Sequence, residues 1–296
     1  MPVINRAFLD AEAINYQAMF KDDLAKFDTY WQNVATKIST GMVESVVHNF
    51  MQNLGGPRLW VGPRVVNNLR AEGIRIQNLS FEDTFGVWRT EYERDNLGLI
   101  PPRVMGLARG FARLADVAIG ALINGATGGL CYDGAAFASA VHPDPGGGAV
   151  MPNTSALVLA TAGFFTAKAA MMAVRLPNGA PCGFTPDTCM VGPDQELNAR
   201  TTFESATNAA GASNPSYKAC TVIVNPYMTT AGRWLIYDSK AGFAPFIFQE
   251  EVAPVLESLT NAEGSDTVFS LDQFQFGARS RCGFGYGVWQ ACYLGT

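Results

Sequence analysis

The side chains best suited to acid–base or metal chemistry in this chain are its two histidines, His48 and His142. Asp133 and Asp144 lie close to His142 in sequence, so an acid–base pair or part of a metal site can be drawn around that ring. No second cluster of ligands accompanies this group, and a G-x-S-x-G nucleophile motif is absent. The sequence therefore predicts neither a catalytic residue nor a bound metal.

The cysteines are the next candidates for chemistry, and their spacing argues against it. Cys182 and Cys189 flank Pro186 at a spacing that does not suit a zinc knuckle, and no C-x-x-C pair occurs. The N-terminus lacks the basic and apolar segments of a secretion signal, so the thiols are predicted to be reduced and mostly buried. The six are Cys131, Cys182, Cys189, Cys220, Cys282 and Cys292.

Glycine alternates with larger residues between Gly283 and Gly287. This run lies inside a strand pattern and lacks the G-x-G-x-x-G spacing between a strand and a helix, so it does not predict a dinucleotide site. Glycine within a strand more often lets another backbone approach closely. We therefore predict a close contact here and no cofactor.

The composition excludes several classes of protein. Charged residues make up only 16% of the 296 residues, which suits either a Gly-rich enzyme or a subunit whose surface is covered by copies of itself. The net charge of −5 argues against a protein that grips nucleic acid by its phosphates. No stretch approaches 18 consecutive apolar residues, so no membrane span is predicted.

A long helix over residues 101–125 is the element around which the other segments are predicted to be organised. Pro101 and Pro102 suit its first turn, and Asn124-Gly125 suits its end. Apolar residues recur at helical spacing along one side, whereas Arg103, Arg109 and Arg113 fall mostly on the other. Gly106, Gly110 and Gly120 each cost about 1 kcal/mol relative to Ala, so the helix needs tertiary or intersubunit contacts.

The segments before this helix have two different patterns. Residues 1–38 predict an arm with a helix over 7–20, whose aromatic residues dock elsewhere on the protein or on a neighbour. Residues 55–96 alternate apolar and polar residues as a two-stranded ribbon would, with a turn or bulge near Glu82-Asp83. Such a ribbon is only marginally stable alone and must lie against another part of the protein or a neighbouring subunit.

Aromatic and arginine residues of the ribbon and of the long helix predict an intersubunit interface. Its predicted residues are Arg58, Trp60, Arg64, Arg75, Trp88, Arg89, Arg103, Arg109 and Arg113.

The chain after the long helix mixes helices and strands. A Gly- and Pro-rich loop precedes a predicted helix that Thr154 or Ser155 caps. Strand 187–191 and a helix near 195–206, carrying Leu197 and Phe203 inward, follow. Apolar runs within 221–228, 233–238 and 243–250 predict strands buried on both faces, and 272–281 and 285–294 predict a final strand pair.

In this order the elements resemble the major head subunits of Mu-like phages, the gpT family, whose coat proteins have the Hong Kong 97-type fold. The motifs span most of the chain in family order. They are RLWVGPRVVNNL at 58–69, CYDGAAF at 131–137, CMVGPDQELNARTTF at 189–203, VIVNPYM at 222–228, WLIYD at 234–238, PFIFQEE at 245–251 and GARSRCGFGYGVWQACY at 277–293.

The resemblance implies an α+β coat fold divided into named regions. Residues 1–50 would be the N-terminal arm and 51–98 the extended ribbon, or E-loop, lying over a neighbour. Residues 99–155 would form the peripheral domain, with the spine helix at 101–125. Residues 156–262 would form the axial domain, and 263–296 would return to the peripheral domain.

The resemblance also implies partners and a location. Copies of the chain would form pentamers and hexamers of an icosahedral shell around double-stranded DNA, without sequence-specific binding. A scaffold or protease, a portal protein and a cement protein would be further partners, and the shell would be assembled in the bacterial cytoplasm as part of the virion. Some coats of this fold cross-link through a ribbon lysine, but this chain has no lysine between Lys37 and Lys168, so no such bond is expected.

Two other interpretations are left open by the residues. One is a cytosolic α/β enzyme with its site near Asp133 and His142, which predicts a monomer or dimer that loses activity on His142→Ala. The other is a cellular nanocompartment shell of the same fold, which would enclose cargo in place of DNA.

Overall fold

The computed structural model describes residues 6–51, 71–94, 98, 100–144, 148–176, 179–208, 210–260, 268 and 272–296. The helices are α1 (Arg6–Lys26), α2 (Arg89–Glu93), α3 (Ile100–Gly125), α4 (Thr161–Met172) and α5 (Glu196–Phe203). The strands are β1 (Ala35–Ser39), β2 (Ser45–Met51), β3 (Ala71–Gln77), β4 (Leu79–Trp88), β5 (Thr154–Ser155), β6 (Thr188–Val191), β7 (Thr221–Val224), β8 (Trp234–Tyr237), β9 (Phe246–Leu259), β10 (Gln273–Tyr286) and β11 (Cys292–Gly295). This mixture confirms the α+β class.

Helix α3 confirms the predicted long helix, and its 26 residues correspond to about 39 Å at 1.5 Å per residue. Its first half contributes Val104 and Leu107 to a core shared with α1, β4 and β10. Its second half contributes Ile119 and Ile123 to a separate core built with β8, β9 and the chain around Phe137. One helix therefore joins two hydrophobic cores.

Polar contacts fix the C-terminal end of α3. Arg233, which is buried, donates hydrogen bonds to the carbonyl oxygens of Ile123 and Asn124, two of the carbonyls that the end of a helix leaves unpaired. The Asn124 side chain donates to the Tyr227 carbonyl oxygen over 2.8 Å and accepts from the Thr229 backbone N–H over 3.1 Å. The segment after β7 is thereby held against α3.

The N-terminal arm docks on its own chain. Helix α1 extends beyond the predicted 7–20 and buries Tyr16 and Phe20 against α3 and β10. After α1, the Asp116 carboxylate on α3 accepts the backbone N–H groups of Tyr30 and Trp31, both over 2.8 Å. Burial raises the pKa of Asp116, and these two hydrogen bonds oppose that shift. The contact fixes where the chain leaves the arm and enters β1.

The first sheet has four strands in the order β1-β9-β10-β4, with β1 parallel to β9 and the other pairs antiparallel. The predicted turn at Glu82-Asp83 was wrong, because β4 runs through both residues in unbroken register with β10. The carboxylates of Glu82 and Asp83 are both exposed on an edge strand, where water solvates them. Glu82 also lies opposite Arg279 on β10. Two adjacent acidic residues at this position are therefore compatible with a continuous strand.

The second sheet has five strands in the order β5-β11-β8-β6-β7. Strand β8 is buried along its whole length, as its apolar run predicted, and β6 is buried as well. Strand β7 was also predicted to be buried on both faces, which was wrong, because it is only half-buried at the edge of the sheet. The predicted final strand pair was wrong, because β10 pairs with β9 and β4 while β11 pairs with β8 and β5. The short 3-10 turn Trp289–Ala291 separates them and buries Trp289 between the sheets.

Two details of the predicted helices were also wrong. Thr154 and Ser155 do not cap a helix: they form β5 beside β11, and α4 begins only at Thr161. The Thr154 hydroxyl donates to the Leu294 carbonyl oxygen over 2.8 Å, so pairing with the last strand outweighs the local capping signal. In α5, Phe203 is buried as expected, but the Leu197 side chain is 76% exposed.

The two strands predicted within 55–96 do not pair with each other: β3 pairs with β2, which begins at Ser45, and β4 pairs with β10. The hairpin of β2 and β3 forms a separate two-stranded sheet, and its base lies on β10. A Cβ built on Gly283 would lie 2.6 Å from the Gln77 carbonyl oxygen, and one on Gly285 would lie 2.4 Å from Ile76 Cδ1. The predicted close approach of another backbone at this glycine run is confirmed. Glycine is required because any side chain would push the hairpin off the sheet.

A buried glutamine completes the base of the hairpin. Gln249 on β9 is fully buried, and its amide nitrogen donates to Asn78 Oδ1 over 2.6 Å. Its amide oxygen lies 2.8 Å from His48 Nε2 on β2. Asn78 in turn donates to the Val43 carbonyl oxygen over 2.7 Å. These hydrogen bonds tie both strands of the hairpin to the four-stranded sheet.

We expect Gly283→Ala to lower the free energy of unfolding of the unassembled subunit by about 1–3 kcal/mol, because the new methyl group meets backbone. Gly106→Ala is the matched control: it lies in α3, its built Cβ meets no atom within 4 Å beyond the adjacent residues and backbone of its own helix, and the substitution should stabilise by about 1 kcal/mol. Urea denaturation of both variants measures the difference. Equal effects of the two substitutions would contradict the proposed packing of the hairpin base.

Candidate intersubunit surface

The structure describes six of the nine residues predicted to form an interface, and all six are exposed. They are Arg75, Trp88, Arg89, Arg103, Arg109 and Arg113. Arg58, Trp60 and Arg64 lie outside the described residues. The six fall on three elements, namely the hairpin, the junction of β4 and α2, and α3.

The three arginines of α3 share the side of the helix that faces away from both cores. Arg103 and Arg113 are ten residues apart, which corresponds to about 15 Å along the axis. The Arg109 guanidinium carbon lies 4.7 Å from the centre of the Phe27 ring, a cation–π contact within the chain. Among the described residues, no carboxylate forms an ion pair with Arg103 or Arg113. Two cations on the outer side of α3 are thus available to another molecule.

The other three predicted residues lie nearer the hairpin and the first sheet. Arg75 on β3 donates from Nε to the Ser45 hydroxyl on β2 over 2.9 Å, across the hairpin stem. Trp88 ends β4 opposite Gln273, and about half of its side chain is exposed. The Arg89 backbone N–H donates to the Asp272 carbonyl oxygen over 2.9 Å and starts α2. The fold does not gather all six residues into one patch.

The His142 ring is part of the core and has no exposed surface. Its Nδ1 lies 2.6 Å from Asp133 Oδ2, and its Nε2 lies 3.2 Å from both the Phe137 carbonyl oxygen and Asn153 Oδ1. The ring stacks on Trp289 with a centroid separation of 3.9 Å. Every polar position of the ring faces a protein acceptor, so the group holds the segments around Phe137 and Asn153 against the turn at Trp289.

Asp144, the other carboxylate near His142 in sequence, does not join this group in the described contacts. One of its oxygens accepts the Gly148 backbone N–H over 3.1 Å, as a loop-stabilising contact. Among the residues that the structure describes, no three His, Cys, Asp or Glu side chains are placed to hold a metal ion. The same residues include no helix that is both long and apolar enough to cross a bilayer.

The cysteines are free, and five of the six are buried, as the sequence predicted. Burial raises the pKa of Cys131 to about 12, and burial raises the pKa of the half-buried Cys182 to about 11. Thiols with pKa values this high are protonated near neutral pH, where a nucleophile or a metal ligand would need the thiolate. They act as small apolar side chains.

Two features of the structure escaped the sequence analysis. The first is the hydrogen bonding of Gln249, which follows the apolar residues of PFIFQEE. A polar residue in a strand predicted to be buried on both faces indicates that its side chain has a hydrogen-bond partner. Helix α4 carries apolar residues on its outer side as well as its inner side, and the absence of any acidic residue from TAGFFTAKAAMM was the signal there.

We expect His142→Ala to lower the free energy of unfolding by about 3–5 kcal/mol, because it leaves the Asp133 carboxylate buried without its partner. His48→Ala is the control with the same change of residue at a half-buried position, and should cost about 1 kcal/mol through one hydrogen bond. Denaturant titration of the unassembled subunit measures both. A His142→Ala protein as stable as His48→Ala would contradict the structural role.

The sequence profile described as "Mu-like prophage major head subunit gpT" matches residues 9–165, 151–228 and 229–295 of this chain. The Mu-like prophage FluMu major head subunit of Haemophilus influenzae is 23% identical over 280 residues, covering 95% of this chain and 70% of that protein. The major capsid protein of Escherichia phage Mu is 23% identical over 288 residues, covering 97% of this chain and 73% of that protein.

The fold resembles that of a solved capsid subunit. A chain in the procapsid of bacteriophage JBD30 superposes with a TM-score of 0.63 and 25% identity, covering 99% of this chain and 76% of that one. The family profile extends over almost the whole sequence, from the arm to β11. This chain therefore belongs to the family of Mu-like prophage major head subunits.

Proposed function

We propose that copies of this major head subunit assemble into pentamers and hexamers of an icosahedral shell that encloses double-stranded DNA. The observation that carries the proposal concerns the β2–β3 hairpin. Among the described residues, it contacts the sheets only at its base. A two-stranded hairpin is marginally stable in water unless something covers it. In a shell, the surface of an adjacent subunit would supply that cover.

The division into arm, ribbon, peripheral domain and axial domain is part of the proposal. Pairing of β2 with β3 supports a ribbon whose stem begins at Ser45, and pairing of β4 with β10 supports a peripheral sheet that includes residues 79–88. The five-stranded sheet, with α4 and α5, would form the axial region. The proposal moves two of the expected boundaries. Strand β9, expected within the axial domain at 156–262, pairs with β10 in the four-stranded sheet, and β11, expected within the peripheral return at 263–296, lies in the five-stranded sheet.

The outer side of α3 is proposed as one contact between subunits. Arg103 and Arg113 are exposed cations, whereas the chain as a whole carries a net charge of −5. Copies of one acidic chain approach each other most favourably where a basic group of one copy meets carboxylates of the next. The exposed residues Arg75, Trp88 and Arg89 are proposed as further contacts near the hairpin.

Enclosure of DNA does not require tight binding in this proposal. The net negative charge supports a shell that surrounds nucleic acid and makes no sequence-specific contact with it. A scaffold or protease, a portal protein and a cement protein are proposed as the other partners, during assembly in the cytoplasm of the bacterial host. We further propose that the chain is not an enzyme, supported by the complete burial of His142, its best candidate for catalysis.

The assembly proposal is tested by sedimentation and negative-stain electron microscopy of the purified protein, with and without a co-expressed scaffold. Wild-type protein should form shells, rings or tubes several tens of nanometres across. Arg103→Glu/Arg113→Glu should remain folded, because both side chains are exposed, and should assemble poorly. Arg175→Glu, another exposed arginine outside α3, is the matched control and should assemble normally. A wild-type protein that stays monomeric or dimeric under all conditions would contradict the proposal.

We expect shells to be held together without covalent bonds between subunits. An isopeptide cross-link from the hairpin needs a lysine amine, and no lysine occurs between Lys37 and Lys168. Purified shells, boiled in detergent and run on a denaturing gel, should give one band near the 31.8 kDa subunit. A ladder of higher bands that survives boiling and reduction would refute this expectation.

A further inference from the structure

Strand β4 is one of the two edges of the four-stranded sheet, and its outer edge pairs with no strand in the described part of the chain. It runs for ten residues, Leu79–Trp88, in unbroken register with β10. Its sequence contains no proline and no lysine. A continuous edge of this length presents a row of backbone N–H and C=O groups, which proteins usually block with proline, lysine, a bulge or a covering element.

The opposite edge of the same sheet is blocked where β9 continues beyond the end of β1. In that part, five steps along β9 from Glu250 to Val255 correspond to three steps along β10, which are the register shifts of a bulged strand. Pro254 lies in the bulged part and has no N–H to offer another strand. The Gln17 side chain on α1 donates to the Leu256 carbonyl oxygen over 3.2 Å. The sheet thus protects one edge and leaves β4 open.

Two adjacent carboxylates lie at the middle of the open edge. Glu82 and Asp83 are both exposed, and as neighbours in a strand they point to opposite faces of the sheet. Arg279 on β10 lies opposite Glu82, but its guanidinium pairs with Glu257 on β9 at 2.9 Å. Among the residues that the structure describes, no lysine or arginine forms an ion pair with Glu82 or Asp83. The edge is therefore acidic on both faces.

The inner face of this edge also carries apolar side chains. Phe81 and Phe85 lie two residues to either side of Asp83, and both are only partly buried at the rim of the core that α1 and α3 share with the sheet. A strand laid beside β4 would place its side chains within about 5 Å of these positions. Apolar residues next to the two rings and basic residues next to the two carboxylates would complement the edge.

We propose that the open edge of β4 binds an extended segment of a different protein, which adds a fifth strand to the sheet and carries two adjacent basic residues flanked by apolar ones. Main-chain hydrogen bonds would supply the affinity, and the alternating side chains would supply the specificity. The inference goes beyond the proposed function, because the occupant is not another copy of the subunit and binding does not require assembly.

Charge selects a different protein over a second copy. Two β4 edges paired with each other would bring the Glu82 and Asp83 carboxylates of both copies together, and like charges on neighbouring strands are destabilising. The whole chain is also acidic, with a net charge of −5, so a basic segment is complementary to it. The two residues that attract a basic strand thus also keep copies from pairing through β4, as charges on an open edge commonly do.

The probe for this site is a fluorescent ten-residue peptide, VTVKKTVTVT, tested together with its reversed sequence because strands pair in either direction. Fluorescence anisotropy with the purified full chain should show saturable binding of one of the two, with a Kd below about 1 mM. The same peptides with glutamates in place of the lysines should bind at least about tenfold more weakly. No binding of either lysine peptide, or equal binding of lysine and glutamate peptides, would overturn the proposal.

Methylation of the peptide's backbone nitrogens tests whether it binds as a strand. Successive N–H groups of a strand point to opposite edges, so one alternate set faces β4 and the other set faces solvent. N-methylation of one set should weaken binding at least about tenfold, and N-methylation of the other set should leave it nearly unchanged. Equal effects of the two sets would contradict strand addition.

Glu82→Lys/Asp83→Lys should reverse the preference, so that the glutamate peptide binds more tightly than the lysine peptide. This gain of binding also shows that the edge of the variant is intact. Asp22→Lys/Asp28→Lys is the matched control, with the same change in net charge at exposed positions of the arm, and should keep the wild-type preference. Equal peptide preferences in the two variants would overturn the proposal. A dimer of subunits that the lysine peptide dissociates would assign the edge to a second copy and would overturn it as well.

Discussion

Burial of one side of α3 along its whole length is the constraint on which the other elements depend. The N-terminal half of the helix holds α1 and the four-stranded sheet through Val104 and Leu107, and the C-terminal half holds the second core through Ile119 and Ile123. Gly120 allows this at one point, because a Cβ there would lie 2.5 Å from Tyr227 Cβ. Helical glycine is locally unfavourable, and the close packing that it permits compensates.

The same helix also determines where the rest of the chain enters and leaves. Asp116 receives the backbone after α1, and the C-terminal carbonyl groups receive Arg233 from the segment before β8. Burial lowers the pKa of the Arg233 guanidinium, although so basic a group stays charged near neutral pH. The hydrogen bonds of these buried charged side chains are directional, so they restrict the orientation of the two sheets more than apolar packing alone would.

Apolar packing and hydrogen bonds together fix the direction of the hairpin at its base. Apolar contact of Ile76 over Gly285 supplies the burial, and Gln249 supplies hydrogen bonds that only one placement of the strands satisfies. Removing either contribution would leave buried polar groups unpaired or a gap above the glycines. The two contributions together hold the base of the hairpin in one orientation on the four-stranded sheet.

The amino-acid sequence by itself determined the elements whose signal is local. The 3.6-residue apolar period between Pro101 and Gly125 predicted α3, the apolar run within 233–238 predicted β8, and the glycine alternation predicted the close approach at Gly283. The family motifs also predicted the fold, because they occur in order over most of the chain. These signals lie in neighbouring residues, so no distant contact had to be known.

Only the tertiary structure decided which strands pair, where α4 begins and which side chains are covered. Alternation in β10 and β11 shows which residues share a face, but it does not identify the partner strand, so the two strands separate into different sheets. Thr154 pairs with β11 and does not cap a helix. His142 is a core residue because Trp289, which is distant in sequence, stacks on its ring. The exposed arginines of α3 followed from helical spacing, whereas the exposure of Leu197 and Phe165 did not. Burial depends on contacts between residues far apart in sequence, and short-range sequence patterns do not identify those contacts.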